Sequence, residues 1–343
     1  MPLLRPLDEH SFFGLSSLYL QTMHPSNVLF QDDLLPVSLP VCDHYAGSEK
    51  LMRKSMLLQQ QSATLFDITF DCEDGAAAGN EAAQAQLIRS LIDSDDNQFN
   101  RIGARVHTPS SAFFDSDLQH IVSAPKLAYL VIPKIHGVSQ LQSAIKTITA
   151  QRQFAGLAAV PIHVLIETHG ALAEVRQIAA LAQVECLSFG IMDFVSSHFG
   201  AIPGSAMRSP AQFSHPLVTS AKVAIAAACH QFGKVASHNV TTEFNDIAVV
   251  AEDARRACSE FGYQRMWSIH PQQIQPIICA FTPQDAEIQQ AIAILSAARL
   301  ASWGPIQHNG CLHDRASYRY YWIMLKRAKT NGLSLPATAT EFV

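Results

Sequence analysis

The chain has 343 residues, 48% of them hydrophobic and only 15% charged, with a formal net charge of -5 at neutral pH. That much apolar surface supports a large packed core and excludes a disordered chain. The negative balance and the absence of a long basic run argue against nucleic acid or an anionic membrane as a partner, and no apolar run is long enough to span a bilayer.

The opening residues lack the basic, apolar and small-residue order of a secretory leader, which predicts a cytoplasmic protein. Seven cysteines are scattered and never form a CxxC pair, so they read as reduced thiols rather than a disulfide frame or a zinc site.

After an irregular opening to about residue 35, short β-rich runs alternate with amphipathic helical stretches. The strand candidates are 37–41, 65–71, 102–107, 127–133, 162–167, 186–192, 234–238 and 265–269. The helical stretches that follow them are 49–60, 81–92, 116–123, 138–150, 171–182, 216–232, 243–261 and 285–301. Eight successive βα units predict a parallel sheet closed into a (β/α)₈ TIM barrel, with Val164 and Ile166 among the residues filling its interior. The barrel is assigned to residues 1–301, irregular start included. Residues 302–343, with the Gly- and Pro-containing loop WGPIQHNG and a helical pattern over 317–330, are assigned to a C-terminal helical extension that acts as a lid or arm.

Active sites of such barrels lie at the carboxyl ends of the strands, so polar residues there are the candidates. They are Asp71, Glu73 and Asp74 in FDCEDGA, Arg105 and His107 in ARVHTP, and Lys134 in VIPKIHG. Further round come Glu167 in LIETHG, Asp193 in SFGIMDF, His238 and Asn239 in ASHNV, and His270 in SIHPQQ. Glu167 and Asp193 end adjacent strands, and two converging carboxylates need a cation. An all-oxygen set with room for water and substrate points to Mg²⁺, with Mn²⁺ as the alternative.

Arg105 is positioned to turn a free guanidinium inward toward an oxyanion, or else to tie two strands together through Glu73 or Asp74. Lys134 reads as a substrate-binding cation rather than a Schiff-base lysine, and His107 and Arg105 are assigned to substrate binding with it. No HxH or HExxH spacing proposes a histidine metal ligand.

The order of these segments, from about residue 39 to residue 328, resembles the HpcH/HpaI aldolase and citrate lyase β-subunit family, in particular its CoA-ester lyase branch. FDCEDGA stands for that family's DLEDAV, ARVH for RVN, VIPKIHG for LPKV, LIETHGAL for its IET segment, SFGIMDF for FGxxD and SIHPQQI for IHPxQ. The resemblance implies metal ligands at Glu167 and Asp193, carboxylates holding metal-bound water at Glu73 and Asp74, and enolate stabilisation by Arg105. It also implies a general acid/base at Asp314, in NGCLHDRASY, reaching into a neighbouring subunit, and hence a homo-oligomer, a trimer or hexamer.

The implied reaction is Mg²⁺-dependent cleavage or formation of a 3-hydroxyacyl-CoA, with a 2-oxo acid and an acyl-CoA as partners. The sequence departs from the pattern at His107, where the family has Asn, at ASHNV, and at His44 in LPVCDHYAG. An aldolase acting on 2-oxo acids without CoA, an acyl-CoA thioesterase and a non-catalytic acyl-CoA-binding regulator remain alternatives.

Overall fold

The structure, a computed structural model, describes residues 24–30 and 35–343. Two compact units emerge: Pro36–Phe281, and the described residues before Pro36 together with Thr282–Val343.

The first unit is a closed barrel of eight parallel strands in sequential order: β1 (Cys42–Ala46), β2 (Asp67–Asp71), β3 (Ile102–Arg105), β4 (Leu130–Ile132), β5 (Ile162–Ile166), β6 (Val184–Phe189), β7 (Val235–His238) and β8 (Arg265–Ser268). β8 closes the ring on β1, with Asp43 opposite Trp267. Seven of the eight strand assignments from sequence overlap these elements. The first does not: residues 37–41 are irregular, and β1 lies immediately after them. Pro36 and Pro40 deprive that stretch of backbone donors, as proline does in any sheet interior. Leu39 instead packs with Cys186 and Val235.

Side-chain parity corrects a second expectation. Val164 and Ile166 belong to the cluster shared with helix residues such as Ile148 and Ile178, so they face the outer layer. Leu165 packs with Tyr129, Val131 and Trp267 inside the ring. Below that layer the interior is polar. Arg265 of β8 reaches past β1 to Asp67 at 3.0 Å and also meets Asp43 at 3.2 Å. Thr69 donates to Asp43 at 2.8 Å, and the Tyr129 ring stacks on His163 at 4.1 Å. Gly103 makes room for that ring, since a β-carbon there would stand 2.3 Å from it. Burial holds His163 below the ordinary histidine range, so the ring is neutral.

The helix completing the eighth unit is Pro271–Phe281, not the 285–301 stretch, so the barrel ends at Phe281 rather than at residue 301. Two prolines in eleven residues, Pro271 and Pro276, disguise it. Helix Asp285–Leu300 belongs to the second unit, where it packs on Arg315–Thr330 around Ile288, Leu295, Trp322, Leu325 and Phe342. Helix Pro25–Leu29 joins them, with Arg315 and Arg319 donating to the Leu29 carbonyl at 2.9 and 2.6 Å. The tail also carries a hairpin, Ile306–His308 with Cys311–His313.

All seven cysteines are free, four of them buried. No helix among the described residues is long and apolar enough to cross a membrane.

Candidate active site

The site assembles at the carboxyl ends of β2 to β6. Asp71, the last residue of β2, is opposite Arg105 in the sheet register. Its carboxylate accepts from Arg105 Nε at 2.8 Å and from Nη2, and also from the backbone N–H groups of Glu73 at 2.9 Å and Gly75 at 2.8 Å. Asp71 therefore shapes the acidic loop and holds the arginine at once. Gly75 is required by this wrap, because a β-carbon there would meet Asp71 Oδ2 at 2.3 Å.

Arg105 is 8% exposed, and its third nitrogen, Nη1, lies 3.0 Å from Glu73. Of the two expectations for Arg105, the tie to Glu73 is present and the free guanidinium is corrected: all three nitrogens face carboxylates, because a cation this buried must be paired. Those carboxylates keep it fully charged. The Tyr45 ring lies 5.6 Å from the guanidinium and stacks on Trp267 at 4.4 Å, so the cation rests on an aromatic floor.

Lys134 adopts a positive φ of 49°. Its Nζ pairs with Asp74 at 2.6 Å and Glu73 at 2.7 Å and lies 3.9 Å from Asp193. Although burial opposes it, pairing with Asp74 and Glu73 raises the amine above the usual lysine range, so it is an ammonium and no Schiff-base nucleophile. Burial raises Glu73 despite Arg105 and Lys134 beside it. Asp74, more open, is held below the usual carboxylate range by Lys134 against the effect of burial.

Glu167 follows β5 and is 2% exposed. It accepts the Lys134 backbone N–H at 2.7 Å. Burial, then the neighbouring charge of Asp193, pushes its pKa up to about 8. Asp193 sits in the first turn of helix Ile191–Ser196 with its side chain 43% exposed. Gly190 passes directly over Glu167, and a β-carbon there would meet Oε2 at 2.2 Å.

Among the described residues no three His, Cys, Asp or Glu side chains converge as a closed metal cage. A buried carboxylate destabilised by a second one nevertheless fits a hard divalent ion that takes one or two protein oxygens and keeps water and substrate in its other positions.

His107 lies two residues beyond Arg105 on the same side of the chain. Its Nδ1 meets Asp117 Oδ2 at 2.7 Å, and its backbone N–H donates to that same oxygen at 2.8 Å. Nothing in the sequence marked Asp117, which sits in the first turn of helix Phe114–Ile121.

Three further candidate histidine positions stand apart from these carboxylates. His238 faces the outer layer, where its Nε2 accepts from buried Lys222 at 2.7 Å and Phe213 stacks on the ring at 5.4 Å. Asn239, just past that strand, donates its amide to Gln212 Oε1 and to the Val240 carbonyl, both at 2.9 Å. His44 is tied to Ser268 at 2.9 Å, and His270 Nδ1 accepts the Gln272 N–H at 3.3 Å within its own turn. Asp314, in the second unit, caps helix Arg315–Thr330 by accepting from Ala316 and Ser317 N–H at 3.0 and 3.5 Å.

A closed eight-stranded parallel barrel with acids, a buried arginine and a lysine at its strand ends places the chain among TIM-barrel proteins with a charged site at that face. Residues 50–271 match the model of the family described as HpcH/HpaI aldolase/citrate lyase, and the chain belongs to that family of carbon–carbon lyases.

Among relatives, it is 25% identical over 290 residues to an L-malyl-CoA/β-methylmalyl-CoA lyase of Cereibacter sphaeroides, covering 80% of this chain and 91% of that one. A citrate lyase crystal structure from Burkholderia xenovorans is 53% identical with a TM-score of 0.84, over 94% of this chain and 100% of the other. The CitE protein of Mycobacterium tuberculosis, solved with magnesium, acetoacetate and coenzyme A, shares the fold at a TM-score of 0.66 and 20% identity, over 85% and 99% of the two chains.

Proposed function

We propose that this protein cleaves or forms a 3-hydroxyacyl-CoA, exchanging it for a 2-oxo acid and an acyl-CoA, with Mg²⁺ held by Glu167 and Asp193. The observation that carries the reading is the buried Glu167 carboxylate, raised by burial and by Asp193, on the same barrel mouth as the paired Arg105. The relatives named for malyl-CoA lysis and solved with magnesium and coenzyme A support it. Mn²⁺ fits the same oxygen set.

The ion supplies positive charge to the oxygens of the hydroxy acid. Arg105, fixed by Asp71 and Glu73, presents its remaining positive field to the thioester oxygen as negative charge develops there. Glu73 and Asp74 would hold water on a bound ion, and their pairs with Lys134 keep that ammonium in place for a substrate carboxylate.

Asp314 takes the hydroxyl proton from a neighbouring copy, so the active species is a homo-oligomer, a trimer or hexamer. An active monomer in light scattering contradicts that part.

The decisive experiment is Mg²⁺-dependent release of acetyl-CoA from a panel of 3-hydroxyacyl-CoA esters. Turnover abolished by chelation and restored by Mg²⁺ is expected; metal-independent turnover refutes the reading. A second reading, an aldolase on free 2-oxo acids, is favoured by the compact charge cluster alone. It predicts a thermal shift with pyruvate and none with acetyl-CoA.

A further inference from the structure

The charges described so far sit at the ends of β2 to β6. A second polar cavity opens further round the barrel, between the segment joining helices Ile191–Ser196 and Pro216–Gln231 and the loop that follows β7. Its volume of about 290 Å³ admits a small metabolite. We propose that this cavity binds a free α-amino acid, with the carboxylate on Arg208 and the ammonium on Glu243.

The cavity is braced before any ligand arrives. Asp253, a fully buried lining residue on helix Ile247–Phe261, laces its two walls together. The carboxylate accepts from Ser209 Oγ and from Gln212 Nε2 at 2.9 Å on one wall, and from Thr241 Oγ1 at 2.7 Å on the other. Gln273 supports the second wall, donating to the carbonyls of Thr241 at 2.7 Å and Glu243 at 3.2 Å. In the first wall the Gln212 N–H donates to the Arg208 carbonyl at 2.9 Å. A site fixed in this way does not lose the entropy of ordering a loop when it is filled.

The unpaired charges then select the ligand. With three donors on its two oxygens, Asp253 is satisfied. Arg208 and Glu243 line the same cavity from different walls, and neither has an ion-pair partner among the described residues. Glu243 Oε1 accepts the Asn245 N–H at 2.8 Å, which leaves Oε2 open. A guanidinium presents two parallel N–H groups that match a carboxylate. A simple anion would be opposed by Glu243 and by Asp253 behind it, and a simple cation by Arg208. A molecule carrying both charges satisfies both walls. The hydroxyls of Ser205 and Thr242 and the apolar Val249 remain to receive its side chain.

This cavity is distinct from the carboxylates at Glu167 and Asp193, yet it borders them. The turn Gly204–Met207, which leads into Arg208, packs on the helix that carries Asp193. A test must therefore separate binding here from binding at the cation site.

Calorimetric titration of the full-length protein with the common α-amino acids does so, with propionate and ethylammonium as controls that each keep one of the two charges. At least one amino acid should bind saturably, and both controls should bind at least about tenfold more weakly. Arg208→Gln and Glu243→Gln should each weaken the amino acid at least about tenfold with unchanged melting, and Arg208→Lys, which keeps the charge without the fork, should fall between. Asp193→Asn should bind it as the native protein does.

No saturable binding by any amino acid overturns the proposal. Propionate binding as tightly as the amino acid makes the cavity an anion site and overturns the assignment of a zwitterion. Binding that survives Arg208→Gln, or is lost in Asp193→Asn, lies elsewhere and overturns it as well. The lyase reading is judged separately, by Mg²⁺-dependent turnover.

Discussion

Replacing Gly190 by alanine is the sharpest available probe of the cation site, because it adds one methyl group and removes no charge. The new β-carbon would stand 2.2 Å from Glu167 Oε2 and 2.7 Å from Glu167 Cβ, against an ordinary contact of at least 3.4 Å. Glu167 cannot swing away freely, since Oε1 is tied to the Lys134 backbone N–H at 2.7 Å and the side chain is sealed from solvent. The carboxylate must retreat by about 1.2 Å, and a misplacement of about 1 Å in a catalytic constellation costs on the order of a hundredfold. The expected result is a fall of that size in kcat/KM and a weaker Mg²⁺ requirement curve, with a barrel that still melts cooperatively. Native kcat/KM and native Mg²⁺ affinity in Gly190→Ala would show that Glu167 does not hold the ion.

Arg105→Ala should lose at least about a hundredfold in turnover, since it removes an oxyanion donor. It should also lower stability by about 3–5 kcal/mol by leaving the buried Asp71 without its counter-ion and Glu73 with Lys134 alone; near-normal kinetics would remove the arginine from the mechanism.

Because Glu167 titrates near 8, protons compete with the ion below that value. Mg²⁺ affinity measured by calorimetry should rise about tenfold per pH unit from 6 to 8 and level off above, and a flat profile would refute the assigned ligand.

Burial holds the Lys222 amine well below its ordinary value of 10.5. Between the two values the unfolded chain binds one more proton, so stability rises with pH across that window and is flat above it. Lys222→Met should flatten the rise in urea midpoint as pH climbs toward 10.5, whereas an unchanged slope places the proton uptake elsewhere.

The barrel was legible because alternation of β-rich and amphipathic runs survives even when individual boundaries are wrong. The strand ends were legible for a related reason: acids directly after apolar runs have few structural uses. Asp71 could be seen as a candidate, but its grip on both Arg105 and the Gly75 loop could not, since that depends on how β2 and β3 lie side by side.

Two expectations excluded each other. Residues 163, 165 and 167 share one face of β5, so with Glu167 at the mouth, Val164 and Ile166 had to point outward. The polar interior around Arg265 was hidden by the assumption that cores are apolar, and the same assumption concealed β1 in CDHYA. Lys222, in a run of alanines and valine, looks like a solvated helix residue until Gln212 and His238 are seen to close over it. Asp117 is ten residues from His107, and only the fold makes them a pair.

The second unit is assembled from both ends of the chain, with Pro25–Leu29 lying on helices that begin only at Asp285. Its opening segment therefore waits, during synthesis, for almost the whole polypeptide to emerge before it finds its partners. Deleting Pro25–Leu29 injures the same small bundle as deleting Ala337–Val343, and that bundle is where Asp314 is displayed.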